Sequence, residues 1–551
     1  MDIVAEVNRA VKFTKAKNFA EAKKIYLRIL ETDKDNAVIL SMLGLLYLEG
    51  CKFKKAEQCL KKSFALKPLP TTIEGLGLVS YYLGDEYKAG EYFAQIIDAT
   101  NNFDVYDKYI KVLLDQRCYK SAYELSLISH KKFPLRPEPL SNLVYSSINV
   151  GNLKEAYALA TRLVKNFPKY GDGWIKFGII NEVLYRDIEL ARKCYKKALS
   201  LGEKFAANYN LAINSSQMKD YKKALYYLRK VYDCSSDKGA MNFTMSSIYF
   251  KQRKFKKAYS YYINKNLKFE KNNVIYKLKN KWDGKRYKDE TLLAFCDQGA
   301  GDCIMFIRYV PFLVKKFKKI KLLLRKPVRG LFARFLQKYP NIEIVLLDKR
   351  LPKYDKSVII SDLPYYLKMW LEDIPSSEGY LIPDSEIVKK YAEKTKTDKF
   401  KIGICWQSGG VGLRDLLYRS LRVKMFEKFF NIEGTQFYSF QVKPSMDEYK
   451  NYPHLIDLGE SFDTFDDTAG ALANMDLVIT VDTSVAHLSG ALGIKTFMLL
   501  PYVVDWRWFD NTKKTEWYDS VEIFRQKSSM DWDSVFDEVA SEIEKLVLMQ
   551  G

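Results

Sequence analysis

Residues 478–493, VITVDTSVAHLSGALG, are where residue type and spacing most plainly allow chemistry. The β-branched run Val478-Ile479-Thr480-Val481 reads as a short buried strand. The chain turns at Asp482-Thr483-Ser484, and Val485, Leu488, Ala491 and Leu492 then resume at helical spacing until Gly493 stops them. A strand, a polar turn and a helix N-terminus aim backbone N–H groups and a positive dipole end at one point, where a nucleotide pyrophosphate can sit. His487 follows Thr483 by four residues, so both face the same side. The same residue types cap helices, so a cap with a structural His487 explains this stretch equally well when it is taken alone.

Three further turns carry comparable chemistry. The first is Gln298-Gly299-Ala300-Gly301-Asp302, after Asp297, with a helix expected to begin near Cys303. Its glycines allow close backbone approach, and Asp302 sits where a helix starts, as a cap would. The pattern is G-x-G-D and not G-x-G-x-x-G, which argues against a redox dinucleotide. The second turn, Trp406-Gln407-Ser408-Gly409-Gly410, leads to Arg419-Ser420 ahead of another helix. Arg419 suits a bidentate phosphate contact and Ser420 a helix cap. The third lies in PYVVDWRWF, residues 501–509, where Asp505 and Arg507 stand beside Trp506 and Trp508.

All four turns need strands to aim them, and the second half of the chain supplies these. Strand-like runs fall at 291–296, 321–324, 342–347, 357–360, 401–406, 436–441, 476–481, 496–501 and 520–525, with helical segments between several of them. That alternation predicts parallel sheets wound with helices. A hinge with Pro375, Gly379 and Pro383 divides the region into two Rossmann-like halves, 285–385 and 386–551. Two such sheets facing each other leave a cleft at their strand C-terminal ends.

The first half, 1–275, repeats. Alanines recur at 22, 56, 89, 122, 156, 191, 224 and 258, at intervals of 33 to 35 residues. Four residues after most of them stands a bulky side chain: Tyr26, Leu60, Phe93, Tyr195, Leu228 or Tyr262. Pro68, Pro134 and Pro168 end three units, and Leu43-Gly44-Tyr47 and Trp174-Phe177-Gly178 supply the first-helix part of the pattern. These residues resemble about eight tetratricopeptide repeats, an all-α superhelix whose concave face suits a partner chain. Glu138, Ser141, Tyr145, Asn149, Asp172, Tyr209, Ser216, Gln217, Phe243 and Lys251 are expected along that groove.

Charge follows the same division. Residues 1–280 hold 49 Lys+Arg against 28 Asp+Glu, and residues 281–551 hold 40 against 39. The excess concentrates at 151–280, with 27 against 10. Much of it falls on second helices, as in Lys54-Lys55, Lys196-Lys197, Lys222-Lys223 and Lys256-Lys257, which reads as a solvated outer surface. Contact with an acidic partner or an anionic membrane surface is the sharper alternative. No base-reading motif accompanies the charge, so nucleic acid is not expected. The N-terminus has no signal-peptide pattern, and no apolar run approaches a membrane span. Eight cysteines without a C-x-x-C pair, and three histidines, predict no metal site and a reducing, cytoplasmic setting.

Taken together, the glycine turn 298–302, the Trp406 turn with Arg419-Ser420, the 482–487 segment and the 501–508 segment resemble glycosyltransferase family 9, the heptosyltransferase-like enzymes, in a form fused to tetratricopeptide repeats. The resemblance implies a GT-B fold and inverting transfer from a nucleotide sugar, with no cofactor and no required metal. It implies that Asp302 is the base and that Thr483, Ser484 and His487 hold donor phosphates. Asp482, Arg419 and Ser420 are expected beside them, with Gln298, Gly299, Gly301, Trp406, Asp505 and Arg507 as further cleft residues. The sequence departs from the family at Asp297, where glutamate is commoner, and in the loop 408–417, which lacks a Gly-Asn-Pro. The expected acceptor is a protein, such as a flagellin or surface adhesin, recruited by the repeats. The alternatives are transfer to lipopolysaccharide or another surface glycan, and a non-catalytic repeat scaffold.

Overall fold

A computed structural model describes residues 3–16, 18–235, 238–265, 278–296, 298–346, 351–409, 419–442, 452–510 and 512–549. Asp297, most of the 408–417 loop and the predicted repeat boundary near 275 lie outside them. The chain forms two compact units, Met1–Tyr185 with Glu189–Glu203, and Arg186–Ile188 with Lys204–Gly551.

Among the described residues, sixteen helices precede residue 263 and pair as eight hairpins. Each repeat alanine is fully buried on the second helix of its pair. Its small side chain lets the two helices approach. The bulky residue four positions later fills the gap that a first-helix glycine leaves. A Cβ at Gly44, Gly77 or Gly178 would meet Leu60, Phe93 or Tyr195 at 2.6, 2.5 and 2.6 Å. The paired lysines of the second helices are exposed, as expected of a solvated face. Ser141 and Gln217, expected along the groove, are instead buried, and Ser141 donates to Asp172.

The first unit holds the first six pairs. The second holds the last two, Lys204–Gln217 with Tyr221–Tyr232 and Lys238–Lys251 with Phe255–Tyr262, together with the α/β region. Its first sheet orders β1 (Tyr287–Phe295), β2 (Phe317–Leu324), β3 (Ile342–Leu346) and β4 (Lys356–Ile359) as β3-β2-β1-β4, all parallel. The second sheet comprises β5 (Phe400–Cys405), β6 (Thr435–Ser439), β7 (Leu455–Asp457), β8 (Leu477–Val481), β9 (Thr496–Leu500), β10 (Lys514–Thr515) and β11 (Tyr518–Arg525). Its order is β10-β11-β9-β8-β5-β6-β7, and only the short β10 runs antiparallel. All nine predicted strands exist; β7 and β10 are too short to leave a periodic signal.

Strand order reverses beside β1 in the first sheet and between β5 and β8 in the second. Such switch points open a crevice at the strand C-terminal ends. The glycine turn leaves β1, the Trp406 turn leaves β5 and the Asp482 turn leaves β8, so three of the four candidate turns stand at these crevices. Two arginines tie the halves together. Fully buried Arg308 donates to the carbonyls of Pro375 and Trp517, at 3.2 and 2.9 Å, and to the Tyr380 hydroxyl. Arg334 donates to the Ile382 carbonyl and pairs with Asp384 and Asp466.

Candidate active site

The turns converge on one cleft of about 600 Å³. Two helices point their N-termini into it, Ala300–Ile307 from the first half and Ser484–Ala491 from the second. They touch closely: a Cβ on Gly301 would lie 2.7 Å from His487 Cδ2 and 3.5 Å from Ser484 Cα. Only glycine lets two positive dipole ends share so small a space.

Asp302 is the third residue of its helix and does not cap it; the N-cap is Gly299, and no side-chain cap bond forms. The Asp302 carboxylate instead accepts from Arg507, Nε at 2.9 Å and Nη2 at 2.5 Å. Arg507 also donates to Gln298 Oε1 at 3.1 Å and, through Nη1, to Asp505 Oδ1 at 2.7 Å. Asp505 caps the short turn Trp506–Trp508, which fixes where the guanidinium starts. Burial opposes the Arg507 charge, but Asp302 and Asp505 outweigh it and hold its pKa well above the ordinary value. Burial likewise opposes the Asp505 charge, and Arg507 with Arg419 holds that carboxyl below the usual range.

Arg419 Nε stands 2.9 Å from Asp482 Oδ2, and its Nη2 donates to the Asp482 carbonyl at 2.9 Å. Burial pushes the Asp482 carboxyl upward against the pull of Arg419. Thr483 caps the helix through Val485 N–H at 3.2 Å, which leaves the first-turn backbone of Ser484 at the cleft surface. Neither arginine is a free cation: Arg507 is held by Asp302 and Asp505, and Arg419 by Asp482.

Three expectations change in detail. Burial, with Arg507 and Arg419 nearby, drives the His487 pKa well below 6.5, so the ring is neutral at pH 7 and brings no positive charge. His487 Nδ1 pairs with the Tyr518 hydroxyl at 3.0 Å, and the ring stacks on Trp508 at 4.9 Å. Ser420 does not cap the following helical turn; its hydroxyl accepts from Ser408 N–H at 3.0 Å, closing the two ends of the intervening loop. Trp406 is fully buried in the core of the second half and does not line the cleft, because its place at the end of β5 faces inward.

Other features were not legible in the sequence. Cys296 and Cys303 form a disulfide across the glycine turn, so the reading of every cysteine as a reduced thiol is corrected at this pair. A seven-residue spacing is no disulfide signal; the tight turn alone brings the two together. Gln441, just beyond β6, accepts from Gln407 N–H at 2.9 Å and orders the turn after β5. Phe243, from the last repeat, also lines the cleft. Among the described residues no group of three or more His, Cys, Asp or Glu is placed to hold a metal ion. No helix among them is long and apolar enough to cross a membrane.

No family model matches the chain. It is similar to Protein FlbA of Caulobacter vibrioides, 24% identical over 296 residues, 47% of this chain and 47% of that protein. The chain thus spans about half the length of the curated relative it matches. Among solved structures, the ADP-heptose lps heptosyltransferase II of E. coli is 12% identical, covering 47% of this chain and 99% of that one at a TM-score of 0.34. A tetratricopeptide repeat protein of Parabacteroides merdae is 11% identical, covering 44% and 97% at 0.38. YrrB, a TPR protein with an unusual peptide-binding site, is 17% identical, covering 33% and 94% at 0.30. The architecture among the described residues is one of eight repeated helical pairs followed by an α/β region with two mainly parallel sheets.

Proposed function

We propose that this chain is an inverting glycosyltransferase that moves a sugar from a nucleotide-sugar donor to an acceptor hydroxyl, most favourably on a protein engaged by the repeats. One observation carries the reading: a carboxylate, Asp302, and two opposed helix N-termini share a single cleft with Arg419 and Arg507. The donor diphosphate lies at the Thr483-Ser484 helix start, where backbone N–H groups and Arg419 stabilise the charge that develops as it leaves. Asp302 takes the proton of the acceptor hydroxyl as its oxygen bonds to the anomeric carbon. The bond from that carbon to the diphosphate oxygen breaks on the opposite face, so the configuration inverts. Arg507 orients Asp302 from one side and Gln298 steadies Arg507 from the other. Developing charge is met by fixed groups of the protein, so the proposed reaction requires no metal.

The test is a panel of nucleoside diphosphates in a thermal-shift assay, followed by transfer and hydrolysis assays with the matching nucleotide sugars. At least one diphosphate is expected to stabilise the protein. Asp302→Asn is expected to lose transfer by 10²- to 10⁴-fold, the usual contribution of a general base, with that shift retained. Full transfer by Asp302→Asn would refute the base assignment, and silence across the whole panel would leave the scaffold reading in its place.

A further inference from the structure

The last repeat is built into the wall of the cleft. Phe250 stacks on Trp506 at 4.3 Å, Phe255 packs against Phe509 and Trp517 at 5.7 and 6.2 Å, and Arg253 pairs with Glu516. Phe243, on its first helix, reaches the cleft and lies 6.2 Å from the Tyr262 ring. The Tyr262 hydroxyl accepts from Gln298 Nε2 at 2.5 Å, and Gln298 Oε1 accepts from the arginine that holds Asp302. The repeat is thus joined to the base by a short chain of direct contacts.

Away from the cleft the same surface continues onto the preceding repeat. Thr244, beside Phe243, stands 3.4 Å from the Tyr209 hydroxyl, and Tyr209 stacks parallel to Phe205 at 6.5 Å. Phe205 is 42% exposed, a large aromatic ring left open to solvent. Phe205, Tyr209, Thr244 and Phe243 form a strip along two first helices, and Phe243 lines the same cleft as Asp302. The strip is uncharged: the helix Lys204–Gln217 has a charge only at Lys204, and the helix Lys238–Lys251 only at its two ends. A phosphorylated glycolipid would call for cations along its path. Aromatic faces interleaved with hydroxyls instead suit neutral backbone and small side chains.

We propose that this strip docks an extended, uncharged polypeptide segment and delivers its Ser or Thr hydroxyl past Phe243 to Asp302. This rests on the glycosyl-transfer reading and names the class of acceptor. The experiment uses the full-length protein and a fluorescein-labelled library of uncharged 14-residue peptides with a central Thr. A matched library carrying four glutamates and micelles of a phosphorylated glycolipid serve as competitors. Fluorescence polarisation is read alongside the thermal shift given by nucleoside diphosphates. The neutral peptides are expected to bind saturably and to lose about tenfold in affinity in Phe205→Ala and Tyr209→Ala, about 1.4 kcal/mol. Phe205→Tyr is expected to restore binding, which a general loss of folding would not permit. Unchanged peptide affinity in both alanine variants, or stronger competition by the acidic peptides or the glycolipid than by unlabelled neutral peptide, would overturn the proposal. A wild-type protein that no nucleoside diphosphate shifts would sink the transfer reading, and with it the acceptor role of the strip, whatever the peptides do.

Discussion

Gly301→Ala tests the geometry on which the site depends. The added Cβ would stand 2.7 Å from His487 Cδ2, where ordinary contact begins at 3.4 Å, so about 0.7 Å must be found. The His487 ring has little room to yield, stacked on Trp508 and bonded to Tyr518. The two helices would have to separate, and overpacking of this kind costs roughly 1–3 kcal/mol. A unit of this size should then melt a few degrees lower. Shifting reacting groups by about 1 Å can also cost on the order of 100-fold in rate. Gly299→Ala is the control, since a Cβ there meets nothing within 4 Å. It should lower the melting temperature far less than Gly301→Ala does, since only the N-cap preference of glycine over alanine is at stake. The assay is thermal unfolding of both variants, with and without a stabilising nucleoside diphosphate. The pair Gly301→Ala and His487→Ala should be strongly non-additive, because removing the ring removes the clash. A Gly301→Ala protein that melts with wild type would refute the close approach of the two helices.

Arg507→Met would strand Asp302 and Asp505 without their shared cation, and breaking such a partly buried network should cost on the order of 3 kcal/mol in urea unfolding. The His487 pKa is depressed in the folded state while the unfolded value is about 6.5. Below pH 6.5 the unfolded chain therefore binds the proton more readily, and stability contributed by the neutral ring is lost as pH falls. His487→Asn should remove that loss, so its stability relative to wild type should improve between pH 7.5 and pH 5.5 in paired urea titrations; a constant difference would contradict the depressed pKa. Alkylation of denatured protein without reductant should modify six thiols by intact mass, and after reduction all eight cysteines. Eight without reductant would remove the Cys296–Cys303 bridge.

The sequence by itself determined the elements and the strand ends that carry the candidate residues. The β-branched runs and the bulky residue four positions after most repeat alanines are short-range signals, because strand and helix faces are set by residues two, three or four positions apart, and the 33- to 35-residue period only repeats them. Hence all eight alanines are buried and all nine strands exist where they were read. The placing of the glycine turn and the 482–487 segment at strand C-terminal ends was legible too, and two sheets facing each other leave a cleft there. Only the tertiary structure decided which partner each polar group takes. Arg507 grips Asp302 from 205 residues away, and Arg419 grips Asp482 from 63. Trp406 turned into the core because its side of β5 faces inward, whereas Phe243 reached the cleft because the last repeat packs on Trp506 and Phe509. His487 sits where the spacing put it, but burial beside two arginines makes its protonated ring costly. Those outcomes depend on distance, burial and the summed field of groups remote in the chain, which no local spacing encodes.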